Sequence, residues 1–309
     1  MKPYLVHLLL VGSWMLNLSA SETLKVVTTT PDFAAIARVI GGDRAEVVSL
    51  AKPTEDPHFV DPKPSLILKL NNADILIESG AELEVGWLPA LLQRVRNPRI
   101  LPGAPGRVLA SEVVELLEVP TSLDRSKGDI HALGNPHFMT DPDNALKVAR
   151  RIAEVLSRLD TGPNRLYHDN LKAFSDLVET KLAEWQRLLS PFKDQHICAY
   201  HNSWPYFARR FGIKIDLFLE PKPGLPPTPA HLADVIAKMK QFGVRVIIVQ
   251  PYLDRRTAES VARQTGAVVI DAPTYPGGVR GTEGDYVKLM DYLVRSLVRA
   301  LGGETQPSR

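Results

Sequence analysis

From Leu24 to Leu301 the chain alternates short apolar, β-branched runs with longer stretches at helical spacing, and it does so in two blocks. Leu24 to Thr29 reads as a strand. Pro31 opens a helical pattern through Ile36 and Ile40 that stops at Gly41-Gly42. Ala45 to Leu50 is strand-like again, Leu66 to Leu70 helical, and Asp74 to Ile77 another buried strand. The second block repeats the rhythm, with strands at Ile197 to Tyr200, Ile213 to Leu219, Val244 to Val249 and Ala267 to Ile270. Helices are expected at Trp204 to Phe211, Ala230 to Phe242, Arg255 to Gln264 and Asp285 to Leu301. Such βα alternation demands parallel sheets with helices on their faces. The expected fold class is α/β: two lobes, each a mainly parallel sheet flanked by helices, with a long helical segment that either joins the lobes or packs on the surface of one of them.

That joining segment lies between the blocks. Pro142 opens a helix with apolar positions at Ala145, Ala149, Ile152, Leu156 and Leu159. Gly162-Pro163 interrupts it, and a second helix carries Tyr167, Leu171, Phe174, Val178, Leu182, Trp185 and Leu189 at spacings of three and four. The expected division is residues 1–20 as a signal peptide, 21–141 as the N-terminal lobe, 142–190 as the link, 191–301 as the C-terminal lobe and 302–309 as a tail.

The first residues read as a targeting signal. Lys2 precedes an apolar run from Tyr4 to Leu18, and Leu18-Ser19-Ala20 offers small residues for cleavage. The run is short for a membrane span, and no cysteine stands near the cleavage site. A periplasmic protein without a lipid anchor is expected. A net charge of +2 gives no reason to expect nucleic acid as a partner. Cys198 is alone in the sequence. It cannot form an intramolecular disulfide and reads as a small core hydrophobe.

Four residues carry the chemistry: His58, His137, His201 and Asp271. His201 and Asp271 directly follow predicted strands, where open α/β sheets bind their ligands. His58 and His137 each follow a proline in a short loop. Three imidazoles and one carboxylate suit a borderline divalent metal, zinc above all, whereas manganese prefers more oxygen. His131 is a candidate auxiliary ligand rather than a member of the main set. Asp285 is a reserve for the fourth position, although it reads more naturally as a helix cap.

The motifs around these residues resemble the zinc/manganese solute-binding proteins of ABC transporters, the cluster A-I or cluster 9 family. Asp56-Pro57-His58, with Pro64-Ser65 and Asn72-Ala73-Asp74 downstream, is similar to the first ligand region. Asn135-Pro136-His137-Phe138-Met139-Thr140-Asp141-Pro142 is similar to the second, and Ala199-Tyr200-His201-Asn202-Ser203-Trp204-Pro205-Tyr206-Phe207 to the third. Val268-Val269-Ile270-Asp271 is similar to the fourth. The chain departs from the family pattern in two places. It lacks the long His- and acid-rich insertion of many zinc-specific members, and Ala272 to Gly278 differs from the common form after the fourth motif.

The resemblance implies two α/β lobes joined by a long helix, with His58 and His137 from the N-terminal lobe and His201 and Asp271 from the C-terminal lobe. It implies capture of Zn²⁺, with Mn²⁺ as the alternative, and delivery to an ABC transporter membrane permease by a monomer. A metallochaperone is a candidate loading partner. Two other readings use the same residues: an exported zinc-dependent hydrolase with Glu55 or Asp56 as general base, and a surface adhesin of the same fold. No His-Glu-x-x-His motif supports the hydrolase.

Overall fold

The computed structural model describes residues 23–121, 131–162 and 165–302. The expected leader and almost all of the expected tail lie outside them. The first half contains β1 (Leu24–Thr28), α1 (Pro31–Gly41), β2 (Ala45–Ser49), α2 (Pro64–Asn71), β3 (Ile75–Glu78), α3 (Leu88–Leu92) and β4 (Arg107–Leu109). Two helices follow, α4 (Pro142–Leu159) and α5 (Arg165–Leu189). The second half contains β5 (His196–Ala199), α6 (Pro205–Phe211), β6 (Lys214–Phe218), α7 (Pro229–Phe242), β7 (Val246–Val249), α8 (Arg255–Thr265), β8 (Val268–Asp271) and α9 (Tyr286–Gly302).

Each half forms a four-stranded parallel sheet. The orders are β2-β1-β3-β4 and β6-β5-β7-β8, so the halves share one topology. In both, the chain changes direction across the sheet after its second strand. The switch points therefore fall between β1 and β3 and between β5 and β7, and a ligand crevice opens beyond the carboxyl ends of those strands.

Strand periodicity distributes the core. Side chains alternate between the two faces of a strand. Val26, Ile75, Ile77, Ile197, Ala199, Val246 and Ile248 all face one large central core. Their neighbours Val27 and Leu76 face a separate outer core with Leu70, Trp87 and Ile100. Cys198 and Ile247 face a third with Leu217, Val235 and Met239. Cys198 is fully buried, and burial pushes its thiol up to about 12, in keeping with a core role.

The central core does not stop at the boundary between the halves. It takes Phe33 and Ile36 from α1, Val148 and Ile152 from α4, Phe174 and Trp185 from α5, Phe207 from α6, and Leu293 and Leu297 from α9. The sequence places a break at Gly162-Pro163, and α4 does end at Leu159 before α5 begins at Arg165. Helix α4 lies against α1 and α5; α5, about 37 Å long at 1.5 Å per residue, lies against α1 and also α9. Trp185 Nε1 and Lys181 Nζ bind Asp291 at 2.7 and 3.0 Å and fasten α5 to α9.

Helix starts follow their caps. Asp141 accepts from Asp143 N at 3.0 Å at the head of α4, and Asp254 accepts from Arg256 N at 3.2 Å at the head of α8. Asp285 accepts from Lys288 N at 3.0 Å just before α9, the capping role its sequence context suggests. No described helix is long and apolar enough to cross a membrane.

One buried carboxylate ties β1 to β3. Glu84 accepts hydrogen bonds from Thr29 Oγ1 at 2.6 Å, Ser79 N at 2.8 Å and Gly80 N at 3.2 Å. It is 4% exposed. Burial outweighs those donors and pushes its carboxyl up to about 7.

Candidate metal centre

His201 stands two residues past β5, at the C-terminal switch point. His58 lies in the loop after β2. Its backbone is held where Trp87 Nε1 donates to Pro57 O at 2.8 Å. His137 sits just before α4, between the two sheets. Ser79 Oγ donates to Pro136 O at 3.4 Å on the N-terminal side. On the other side Asn135 Nδ2 donates to Asn202 O at 2.9 Å, and the Tyr206 hydroxyl donates to Asn135 O at 2.6 Å. Arg210 grips Asp141 with two hydrogen bonds of 2.7 and 3.0 Å. The histidine is thus clamped to both halves at once.

The three imidazoles converge. Their donor nitrogens all lie within 4.8 Å of one another. Ring centroids are 5.2 Å apart for His58 and His137, 5.6 Å for His58 and His201, and 5.4 Å for His137 and His201. All three pairs meet edge-on, at 65°, 70° and 86°, so the rings point at a shared centre rather than stack. Two donors on a tetrahedral zinc lie about 3.4 Å apart, given Zn–N bonds near 2.0–2.1 Å. A contraction of roughly an ångström completes the fit.

Two observations show that these nitrogens are arranged to be donors. His58 Nε2 and His137 Nε2 are buried and have no hydrogen-bond partner. Such orphaned atoms are rare in folded proteins and call for a missing ligand. The opposite sides of two rings are occupied. His58 Nδ1 pairs with Asp56 Oδ1 at 2.8 Å, and His201 Nδ1 pairs with Glu220 Oε2 at 2.6 Å. A carboxylate behind each ring fixes Nδ1 as the protonated nitrogen and leaves Nε2 free to coordinate.

The local electrostatics agree. Burial alone would raise Asp56, but the hydrogen bond and charge of His58 outweigh it and hold the carboxyl below its ordinary value. Burial, reinforced by the neighbouring imidazoles, pulls His137 well below the ordinary histidine range. Its nitrogen is therefore neutral and available near neutral pH.

Asp271 is not brought to this group. It ends β8, the edge strand of its sheet and two positions from β5. Its oxygens are not among the donor atoms that lie within 4.8 Å of one another. Its carboxylate pairs with the Arg255 guanidinium at the head of α8. The four-donor set expected from the sequence thus appears as three converging imidazoles, with the aspartate in an ion pair elsewhere.

Glu220 is the residue that sequence reasoning missed. The backbone pairing of β5 and β6 continues past both strand ends, where Glu220 N donates to Tyr200 O at 3.1 Å, and this sets the glutamate beside His201. A carboxylate two residues beyond a strand end was the available signal. Glu220→Gln is expected to weaken metal binding by about 10–100-fold, the usual value of an outer partner that orients a ligand. Metal titration calorimetry on the variant checks it.

A two-lobed α/β fold with a converging imidazole cluster, one ring buried and two partly exposed, defines a metal-binding protein of the solute-capturing type. Comparison with known proteins agrees. The family described as the periplasmic component A of the zinc-uptake complex matches residues 26–300, and the chain belongs to that family of ABC transporter solute-binding proteins. Its role is not enzymatic, which removes the hydrolase reading.

The chain is 24% identical over 291 residues to the manganese ABC transporter substrate-binding lipoprotein PsaA of Streptococcus mitis, covering 92% of this chain and 91% of that one. It is 25% identical over 293 residues to the iron-binding protein YfeA of Yersinia pestis, covering 91% and 88%. Among solved structures, that of ZnuA shares the fold with a TM-score of 0.77 at 22% identity, over 90% of this chain and 99% of that one. A manganese-bound periplasmic metal-binding protein from Candidatus Liberibacter asiaticus does so with a TM-score of 0.75 at 18% identity, over 90% and 100%.

Proposed function

We propose that this protein captures Zn²⁺ in the periplasm and delivers it to the membrane permease of an ABC importer. The observation that carries this reading is the set of converging imidazoles of His58, His137 and His201, two of whose Nε2 atoms are buried without a partner. Relatives carry the names of manganese- and iron-binding proteins, so the choice of metal rests on the donors. Nitrogen-rich sites favour zinc, whereas manganese favours carboxylate and water oxygen. Asp271, the one carboxylate expected among the ligands, is engaged by Arg255. Residues 1–20 are read as a cleaved export signal, which places the site where an importer collects its cargo.

Competition calorimetry on metal-stripped protein tests the reading. Zn²⁺ is expected to bind at least a hundredfold more tightly than Mn²⁺, as the Irving–Williams order and the donor set require. Equal or tighter binding of Mn²⁺ overturns the zinc assignment.

A further inference from the structure

His137 and His201 come from loops far apart in the chain, and one carboxylate touches both loops. We infer that Glu118 is a positioning residue for the metal centre: it ties the His137 loop to the His201 loop, so that the two imidazoles stand near coordinating separation before an ion arrives. This rests on the reading of the His58, His137 and His201 cluster as a zinc site.

The segment that carries Glu118 is anchored before it reaches the site. Val113, Val114, Leu116 and Leu117 pack against the central core. Leu117 N donates to the Tyr206 hydroxyl at 2.9 Å, and Leu117 O accepts from Asn135 N at 2.8 Å. Glu118 comes next with φ +55°, in the left-handed region that glycine adopts readily and other residues enter at a cost. Such a conformation persists only where its surroundings over-determine it, and it gathers at functional sites. What holds Glu118 there is a pair of asparagine amides.

A single oxygen, Glu118 Oε2, accepts from Asn202 Nδ2 at 2.8 Å and from Asn135 Nδ2 at 3.0 Å. Asn202 follows His201 directly, and Asn135 stands two residues before His137. Asn135 Nδ2 also donates to Asn202 O at 2.9 Å. A carboxylate only accepts hydrogen bonds, so it fixes which end of the Asn135 amide faces it. The amide oxygen is thereby turned to His137 N, which donates to it at 3.0 Å. The tie therefore runs from the backbone of one histidine, through Asn135 and Glu118, to the neighbour of the other.

Glu118, His137 and His201 also border one cavity of about 150 Å³, so this tie lies in the wall of the chamber that reaches both rings. Asp56 and Glu220 act differently. Each pairs with one ring, within its own half of the fold. Loops held in place beforehand need not be ordered by the ion, and that ordering cost would otherwise be subtracted from its affinity.

The test is calorimetric zinc titration and thermal unfolding of the metal-stripped full chain, using wild type, Glu118→Gly, Glu118→Asp and His201→Ala. Glycine suits the left-handed backbone while removing the carboxylate, so thermal stability should be at least that of wild type. Aspartate keeps the charge but is one methylene too short to hold both amides. Zinc affinity should fall about tenfold in both Glu118 variants, as ordering of the loops moves to the binding step. A merely structural role would lower stability and leave affinity alone. Wild-type affinity in either variant overturns the positioning role, and in Glu118→Asp alone it reduces Glu118 to a source of charge. If the glycine variant unfolds at a lower temperature than wild type, Glu118→Asp decides. Binding lost in His201→Ala leaves the zinc site standing in each case, and wild-type binding there overturns both readings.

Discussion

Replacing His201 by alanine is expected to weaken zinc binding by about a thousandfold while the protein keeps its fold. Structural zinc sites bind with about 10–16 kcal/mol shared among their ligands, so one nitrogen is worth roughly 3–4 kcal/mol, or two to three decades of affinity. His58→Ala should behave alike. Both residues lie on loops beyond strand ends and are partly solvent-exposed, with side chains 14% and 12% exposed, so truncation opens no large cavity in the core. Asp271→Ala is the contrasting case. Its carboxylate pairs with Arg255 and lies outside the converging donor set, so zinc affinity should stay within about threefold of wild type. Calorimetric zinc titration of the three variants decides the matter. Equal losses in all three would return Asp271 to the ligand set, and wild-type affinity in the histidine variants would remove the site altogether.

The second large effect concerns stability and pH. Burial, the dominant influence on Glu84, raises its carboxyl from the ordinary 4.5 to about 7. The folded state therefore holds this proton to a higher pH than the unfolded chain does. The stability it contributes is complete below about pH 4.5 and is lost as pH rises through about 7. At about 1.4 kcal/mol for each pH unit of displacement, the loss is about 3 kcal/mol. Glu84→Gln cannot ionise, so relative to wild type the variant should gain about that amount between pH 4.5 and pH 8. His137 works in the opposite sense, because its depressed value costs stability as pH falls. It is common to both proteins and cancels in the difference. Urea unfolding of the metal-stripped pair at the two pH values measures the gap. A gap that does not change with pH refutes the assignment.

The architecture was largely legible in the sequence because buried parallel strands read as compact apolar runs, and seven of the eight strands among the described residues announced themselves that way. Strand β4 did not. Arg107-Val108-Leu109 offers three residues after a Pro- and Gly-rich stretch, and it becomes a strand through pairing with β3. The imidazoles were legible because each stands where a loop leaves a sheet or enters a helix.

The fate of Asp271 was not legible. A strand followed by aspartate looks the same whether the strand is central or at an edge, and strand order is a property of the whole sheet. The same limit hid the partnership of Glu220 with His201. It depends on β6 lying beside β5, which no local pattern encodes.

The shared central core also limits how this protein can let go of its cargo. Phe33, Trp185, Phe207 and Leu297 belong to one apolar mass, and prying apart even 400 Å² of it would cost about 10 kcal/mol at 25 cal/mol per Å². That rivals the entire folding stability of a typical domain. A wide clamshell swing is therefore closed to it. Release of the cargo is expected to use small displacements of the loops around the site while the joint stays shut.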